Sequence, residues 1–79
     1  MKVIIKVLGT LGKMCKVELN GNKAELSVPN GAAVKDVINL IGLPLDIAKI
    51  NLINGRSAKF DSPVNDGDTI SILPPIAGG

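Results

Sequence analysis

The chain contains no histidine, tryptophan or tyrosine, and it has one cysteine and one phenylalanine among 79 residues. Because Cys15 is the only cysteine, no internal disulfide can form, and a zinc site built on Cys and His ligands is excluded. Phe60 alone makes no stacking platform for bases, so nucleic-acid binding is not expected. Histidine is the side chain used most often for acid–base catalysis near neutral pH. Its absence favours a binding or carrier module over an enzyme.

The charges are nearly balanced, with nine Lys and Arg against seven Asp and Glu, and they form no basic stripe. Hydrophobic residues make up 46% of the chain, which excludes a disordered polar segment. The length fits one small domain. The apolar run Val3–Ile5 is too short for a signal peptide or a membrane span. A single free cysteine suits a reducing compartment, so we expect a cytoplasmic domain without membrane contact.

Alternation of apolar and polar residues predicts five strands. They cover residues 2–8, 23–28, 47–53 and 69–73, with a short return strand within 56–60. A helix from about residue 32 to about residue 41 is predicted by the spacing of Val34, Val37, Ile38 and Ile41, followed by Gly42 as its C-terminal cap. One helix on one mixed sheet is the economical way to bury these faces, which predicts an α+β domain.

Residues 9–22 admit two interpretations. Cys15, Val17 and Leu19 alternate with charged residues before Asn20-Gly21, which is typical of a hairpin pairing 15–19 with 22–28. Alternatively, residues 11–19 form a loop or a short helical turn that covers one end of the sheet. We favour the loop.

Three short motifs resemble functional sites, but each lacks residues or surroundings that the site would need. The segment from Gly9 to Lys13 resembles a phosphate-binding loop, yet Val7 stands where its first glycine belongs and Met14 stands at the Ser or Thr position. The run from Asn65 to Asp68 lacks the alternating acidic ligands and the distal Glu of a calcium loop, so it is expected to be a tight turn. Cys15 is more simply a packed small hydrophobe than a nucleophile.

The last six residues form the most informative segment. Pro74 and Pro75 end the final strand and favour an extended polyproline conformation. They are followed by Ile76, Ala77, Gly78 and Gly79. At about 3.3 Å per residue this tail would reach roughly 20 Å from the sheet. Because glycine has no Cβ, a narrow channel in another protein could close around the terminal backbone and receive the carboxylate of Gly79.

The run from Val64 to Gly79, VNDGDTISILPPIAGG, resembles the C-terminal signature of the ubiquitin-like sulfur carriers of the MoaD/ThiS family. It is most similar to the small subunit of molybdopterin synthase in its Gly-Asp, its Pro-Pro and its terminal Gly-Gly. The turn at Ile53-Asn54-Gly55-Arg56 also resembles that family, although Ile72-Leu73 stands where those subunits usually carry aromatic residues. The resemblance implies a ubiquitin-like β-grasp fold, with a mixed sheet of four to five strands and one main helix. It divides the chain into a domain over 1–73 and a tail over 74–79.

The resemblance also implies a chemistry and a set of partners. An E1-like enzyme would use ATP and Mg²⁺ to adenylate the carboxylate of Gly79, and a persulfide donor protein would displace AMP to leave a thiocarboxylate. A larger molybdopterin synthase subunit, or another acceptor enzyme, would then receive the sulfur. Gly78, Ala77 and Ile76 would thread into the partner, and Pro74 and Pro75 would set the exit direction. The carrier itself would bind no cofactor and no metal.

Independently of the family, four apolar residues are expected on the sheet face opposite the helix: Ile4, Leu8, Ile53 and Leu73. Such a cluster on a small domain is typical of a protein interface, although scattered apolar surface residues are also common.

Three functions therefore stay open. The first is a sulfur carrier for the molybdenum or tungsten cofactor, for thiamine or for tRNA thiolation. The second is a protein modifier joined to lysines through Gly79, and the third is an interaction domain with an inert tail.

Overall fold

The computed structural model describes residues 1–48 and 50–74, which form one five-stranded sheet with one α-helix. The elements in chain order are β1 (Lys2–Val7), β2 (Lys23–Ser27), α1 (Val34–Leu40), β3 (Ile50–Ile53), β4 (Arg56–Ala58) and β5 (Thr69–Leu73). Across the sheet the order is β2-β1-β5-β3-β4, with β1 and β5 parallel and every other pair antiparallel. The predicted α+β class and the β-grasp element order are confirmed.

The core lies between α1 and one face of the sheet. The predicted helix stripe is fully buried, with Val34, Val37, Ile38 and Ile41 each at 0% exposure. On the sheet the central strands contribute residues that are 0–2% exposed, namely Val3, Ile5, Val7, Ile70 and Ile72. Burying each Val or Ile side chain stabilises the domain by about 1.5–3 kcal/mol before the entropy of ordering is subtracted.

The helix is shorter than predicted at its start because Ala33 is still in extended backbone, with φ −105° and ψ 172°. The N–H of Ala33 donates to Asp36 Oδ2 at 2.8 Å, which satisfies one free donor at the helix start. At the other end Gly42 adopts φ +81°, as its predicted capping role requires. The N–H groups of Gly42 and Leu43 donate to the carbonyls of Asn39 and Ile38 at 3.1 and 3.2 Å, the two bonds of a Schellman motif.

Residues 9–22 follow the loop interpretation. Gly9–Lys13 is a 3₁₀ helix whose Leu11 is buried, and β2 pairs directly with β1. The hairpin of 15–19 with 22–28 is therefore wrong. The turn at Asn20 keeps only an isolated bridge to Lys23. The N–H of Lys16 donates instead to the carbonyl of Ile41 at 2.7 Å, which ties this loop to the end of α1.

The third strand begins later than predicted. Residues 47 and 48 belong to a turn, because the N–H groups of Ile47 and Ala48 both donate to the carbonyl of Pro44, at 3.3 and 3.2 Å. The strand starts at Ile50.

The side chains of β3 also face the other way from the prediction. Asn51 pairs with Ile72 and Ile53 pairs with Ile70, so both lie on the core side of the sheet. The placement of Ile53 on the face opposite the helix is therefore wrong, and Ile53 packs against the core. Asn51 is buried, with 3% of its surface exposed, and its Nδ2 donates to the carbonyl of Ala48 at 3.0 Å, whereas its Oδ1 accepts no hydrogen bond from the described residues.

Candidate functional site: the tail exit and the outer sheet face

The C-terminal tail leaves the sheet beside Gly9. The N–H of Leu8 donates to the carbonyl of Ile72 at 3.0 Å, which keeps β1 alongside β5 up to its last residues. Pro74 then packs on the backbone of Gly9, where an added Cβ would lie 3.0 Å from Pro74 Cγ. Gly9 has φ +63°, so both its conformation and its contact with Pro74 favour glycine. The start of the tail therefore has a defined position against the first residue of the 3₁₀ helix, and we call this contact of Pro74 with Gly9 the seat of the tail.

The predicted tail residues after this seat lie outside the described residues. They are Pro75, Ile76, Ala77, Gly78 and Gly79. Among the predicted tail-threading positions, the structure describes Pro74, whose ring lies against Gly9.

The Gly-Asp of the C-terminal signature holds the beginning of β5 in place. One carboxylate oxygen of Asp68 accepts from Asn54 Nδ2 at 2.9 Å, and the other accepts from the N–H of Asn65 at 2.8 Å. Asn54 Oδ1 in turn accepts from the N–H of Thr69 at 2.9 Å, and Asn54 has φ +51°. This clamp joins the β3–β4 hairpin to the first residue of β5. It gives Asp68 and Asn54 a structural role that the sequence alone did not reveal.

Apolar side chains form a row across the outer face of the sheet, opposite α1, at the end where the tail leaves. Ile50 pairs with Leu73, and continuing the parallel register of β1 and β5 by one residue places Leu8 on the other side of Leu73. All three are partly exposed. We call Leu8, Leu73 and Ile50 the apolar row. Leu52 shares their face one step further from the tail, where it pairs with Ser71.

Ile4 lies on the same face beyond Lys6 and is 39% exposed. The structure thus places Ile4, Leu8 and Leu73 on the outer face, as predicted, with Lys6 between Ile4 and Leu8, and it does not place Ile53 there. Ile50 and Leu52 are also outer-face residues, which the sequence pattern did not predict. The strand register, which no single-sequence pattern supplies, reveals them.

The other motifs do not form reactive sites in the part of the chain that is described. The Sγ of Cys15 donates to the carbonyl of Gly12 at 3.3 Å, and the residue is partly buried. Asp66 Oδ1 accepts a hydrogen bond from the N–H of Lys2 at 2.8 Å, so the acidic residues of 65–68 stabilise a turn. Within residues 1–48 and 50–74, no three His, Cys, Asp or Glu side chains come together as metal ligands. No helix in these ranges is long and apolar enough to cross a membrane.

Solved structures of small carriers and modifiers share this fold. A putative molybdopterin converting factor subunit 1 from Pyrococcus furiosus is 26% identical, with 95% of this chain and 98% of that chain covered and a TM-score of 0.70. Small archaeal modifier protein 1 from Haloferax volcanii is 18% identical over 95% and 98% of the two chains, with a TM-score of 0.72. A chain from the complex of subunits 1 and 2 of the molybdopterin-converting factor from Helicobacter pylori is similar in fold, and it is 20% identical over all of both chains with a TM-score of 0.62.

A family model extends the likeness to the end of the chain. The model of the ThiS family matches residues 5–79, which include the terminal Gly78-Gly79 as well as the described β-grasp domain. The chain belongs to the ThiS family, a group of ubiquitin-like proteins with the β-grasp fold that includes sulfur carriers and modifiers.

Proposed function

We propose that this chain is a sulfur carrier whose reacting group is the terminal carboxylate of Gly79. The observation that carries the proposal is the family match, which runs through the terminal Gly-Gly. The seat of Pro74 beside Gly9 supports it, because a tail that starts in a defined direction loses less entropy when a partner receives it. The chain would act as a carrier and leave the catalysis to its partner enzymes.

The proposed chemistry begins with activation, because a carboxylate is a poor electrophile. In an E1-like enzyme with ATP and Mg²⁺, the carboxylate oxygen of Gly79 attacks the α-phosphorus of ATP and pyrophosphate leaves. The terminal sulfur of a persulfide donor then attacks the acyl carbon and AMP leaves, which produces an acyl disulfide. A thiol attacks the sulfur of the donor cysteine, so that the thiocarboxylate departs and the thiol and the donor end as a disulfide.

We propose the larger subunit of molybdopterin synthase as the acceptor of this sulfur. The likeness to subunit 1 of the molybdopterin converting factor from P. furiosus supports this pathway, and the H. pylori protein of that kind is in a complex with its subunit 2. The apolar row of Leu8, Leu73 and Ile50 would form the docking face together with Ile4, since partly exposed apolar side chains grouped beside the tail exit suit a protein interface.

The intact mass of the chain tests the carrier function. After incubation with ATP, an E1-like adenylating enzyme and a persulfide donor, we expect the mass increase of one oxygen replaced by sulfur, with no change when ATP is left out. Adding the larger molybdopterin synthase subunit and its pterin precursor should return the mass to its starting value. Absence of any mass increase with several such enzymes would overturn the carrier function.

A second function, protein modification, is favoured by the fold it shares with the archaeal modifier protein. An isopeptide bond to a lysine and a thiocarboxylate arise from the same acyl-adenylate, so both functions require the same first step. On a denaturing gel, target proteins joined to this chain would migrate as bands of higher mass. Such bands would establish conjugation if they disappear when Gly79 is deleted. If the chain gains the mass of sulfur but no such bands appear, only the carrier function is supported.

A further inference from the structure

Four charged side chains occupy the outer face of β1 and β2, and two of them neutralise each other. Lys2 and Lys6 lie on β1, and Lys23 and Glu25 lie on β2. Lys2 Nζ is 3.4 Å from Glu25 Oε1, and both side chains are largely exposed. The negative charge on this part of the face is therefore already matched by Lys2.

The other two charges repel each other. Lys6 and Lys23 are directly paired in the antiparallel register of β1 and β2, which brings their Cβ atoms to about 4.5–5.5 Å of each other. Like charges in such a pair destabilise a sheet. In the described part of the chain, Lys2 and Glu25 form the one ion pair within 4.0 Å, so no carboxylate there lies within that distance of Lys6 or Lys23.

Protection of the sheet edge accounts for Lys23 but not for Lys6. The second strand is an edge strand, and a lysine on an edge discourages pairing with another molecule. Lys6 belongs to β1, which is hydrogen-bonded on both sides, to β2 and to β5. A lysine on the solvent-facing side of a sheet is ordinary, so the notable feature is its direct pairing with a second lysine.

The lysine pair adjoins the apolar row. Lys6 precedes Leu8 by two residues on the same face and pairs with Ser71, which precedes Leu73 by two. The outer face thus continues from a doubly positive patch to apolar side chains and on to the tail exit at Pro74. A protein that receives the tail and covers the apolar row would also lie over Lys6 and Lys23.

Resting on the proposed function, we propose that the enzyme that activates Gly79 places at least one carboxylate over Lys6 and Lys23 while its apolar side chains cover the apolar row. The partner's carboxylate would relieve the repulsion that the isolated chain carries. Part of the attraction between the two proteins is then electrostatic, which speeds their encounter and makes it sensitive to salt.

Charge reversal at each lysine tests this inference in the mass assay. Lys6→Glu replaces the like pair by an opposite pair with Lys23, so the variant should resist denaturant at least as well as the wild type. We expect Lys6→Glu and Lys23→Glu each to raise the KM for the carrier about tenfold with kcat unchanged. The KM of the wild type should rise with ionic strength more steeply than that of either variant. Lys35→Glu makes the same charge change on exposed α1 and should leave the KM unchanged.

The outcomes separate the inference from the function on which it rests. If the wild type gains sulfur and both reversals keep the KM and the salt dependence of the wild type, the acidic contact is refuted and the carrier function stands. If Lys35→Glu raises the KM as much as Lys6→Glu, the effect is one of net charge and the inference also fails. If the wild type itself never gains sulfur, the carrier function fails and the inference fails with it.

Discussion

Replacing Gly9 by alanine should disturb the tail more than the fold. Gly9 has φ +63°, and its Cβ would lie 3.0 Å from Pro74 Cγ. The left-handed backbone alone costs an L-residue about 1–2 kcal/mol. Crowding of Pro74 should add about 1 kcal/mol, at the lower end for overpacking. A domain with typical stability of about 5–15 kcal/mol remains folded, but Pro74 and the chain after it must move.

The matched control is Gly21→Ala. Gly21 has φ +70°, close to that of Gly9, and an added Cβ there meets nothing within 4 Å. Both variants lose the same conformational freedom in the unfolded chain, so that contribution cancels when they are compared. The difference between them isolates the contact of residue 9 with Pro74.

Two assays measure the two effects. Denaturant unfolding should give Gly9→Ala a free energy of unfolding about 1 kcal/mol lower than that of Gly21→Ala. In the mass assay, Gly9→Ala should raise the KM for the activating enzyme severalfold, while Gly21→Ala should leave it unchanged. Equal unfolding free energies and equal KM values for the two variants would refute the role of Gly9 as the seat of the tail.

Two further predictions concern the faces of the sheet and the clamp at β5. Leu73→Asp should keep most of the stability but weaken partner binding, measured by titration calorimetry, whereas Ile53→Asp should cost about 2–4 kcal/mol in denaturant unfolding because its carboxylate would face the core. The opposite ranking would contradict the strand register. Asp68→Ala should lower the free energy of unfolding by about 1–3 kcal/mol, because it removes the hydrogen bond from Asn54 Nδ2 in the β3–β4 turn and the one from the N–H of Asn65 in the turn before β5. An unchanged unfolding midpoint would show that the clamp contributes nothing.

Periodicity was sufficient to predict the elements whose burial follows their own pattern. The stripe from Val34 to Ile41 alternates at helical spacing and is fully buried, and Val3, Ile5 and Val7 face the core as predicted. In these segments hydrophobic burial and local propensity favour the same structure, so neighbouring elements need not be known.

The third strand could not be predicted in this way because its pattern is misleading. In the sequence Ile-Asn-Leu-Ile, the polar Asn51 would ordinarily face water, which would turn Ile50 and Leu52 inward and Ile53 outward. Asn51 instead lies in the core, where the carbonyl of Ala48 accepts its amide. The antiparallel register with β5 pairs Asn51 with Ile72 and so determines which side of β3 faces the core, and a one-residue shift would exchange the two faces completely.

For the candidate site, the sequence predicts a reacting group at Gly79, which stays a prediction, and the structure adds the surroundings of the tail exit. The terminal motif suggested the tail and its reacting group without any structure. The seat at Gly9, the Asp68 clamp and the Lys6–Lys23 pair each join residues far apart in the sequence. Contacts of this kind depend on the register of the sheet, which the sequence pattern alone leaves open.

The position of the terminal carboxylate is the central claim, and one mass measurement on three chains tests it most directly. The wild type, a chain with one alanine added after Gly79 and a Gly79→Ala chain of unchanged length are incubated with ATP, the activating enzyme and the persulfide donor. We expect the wild type to gain sulfur, the extended chain to gain none, and Gly79→Ala to gain it more slowly, because its carboxylate keeps its position while a Cβ narrows the fit. Equal sulfur gain by the extended chain and the wild type would contradict the account.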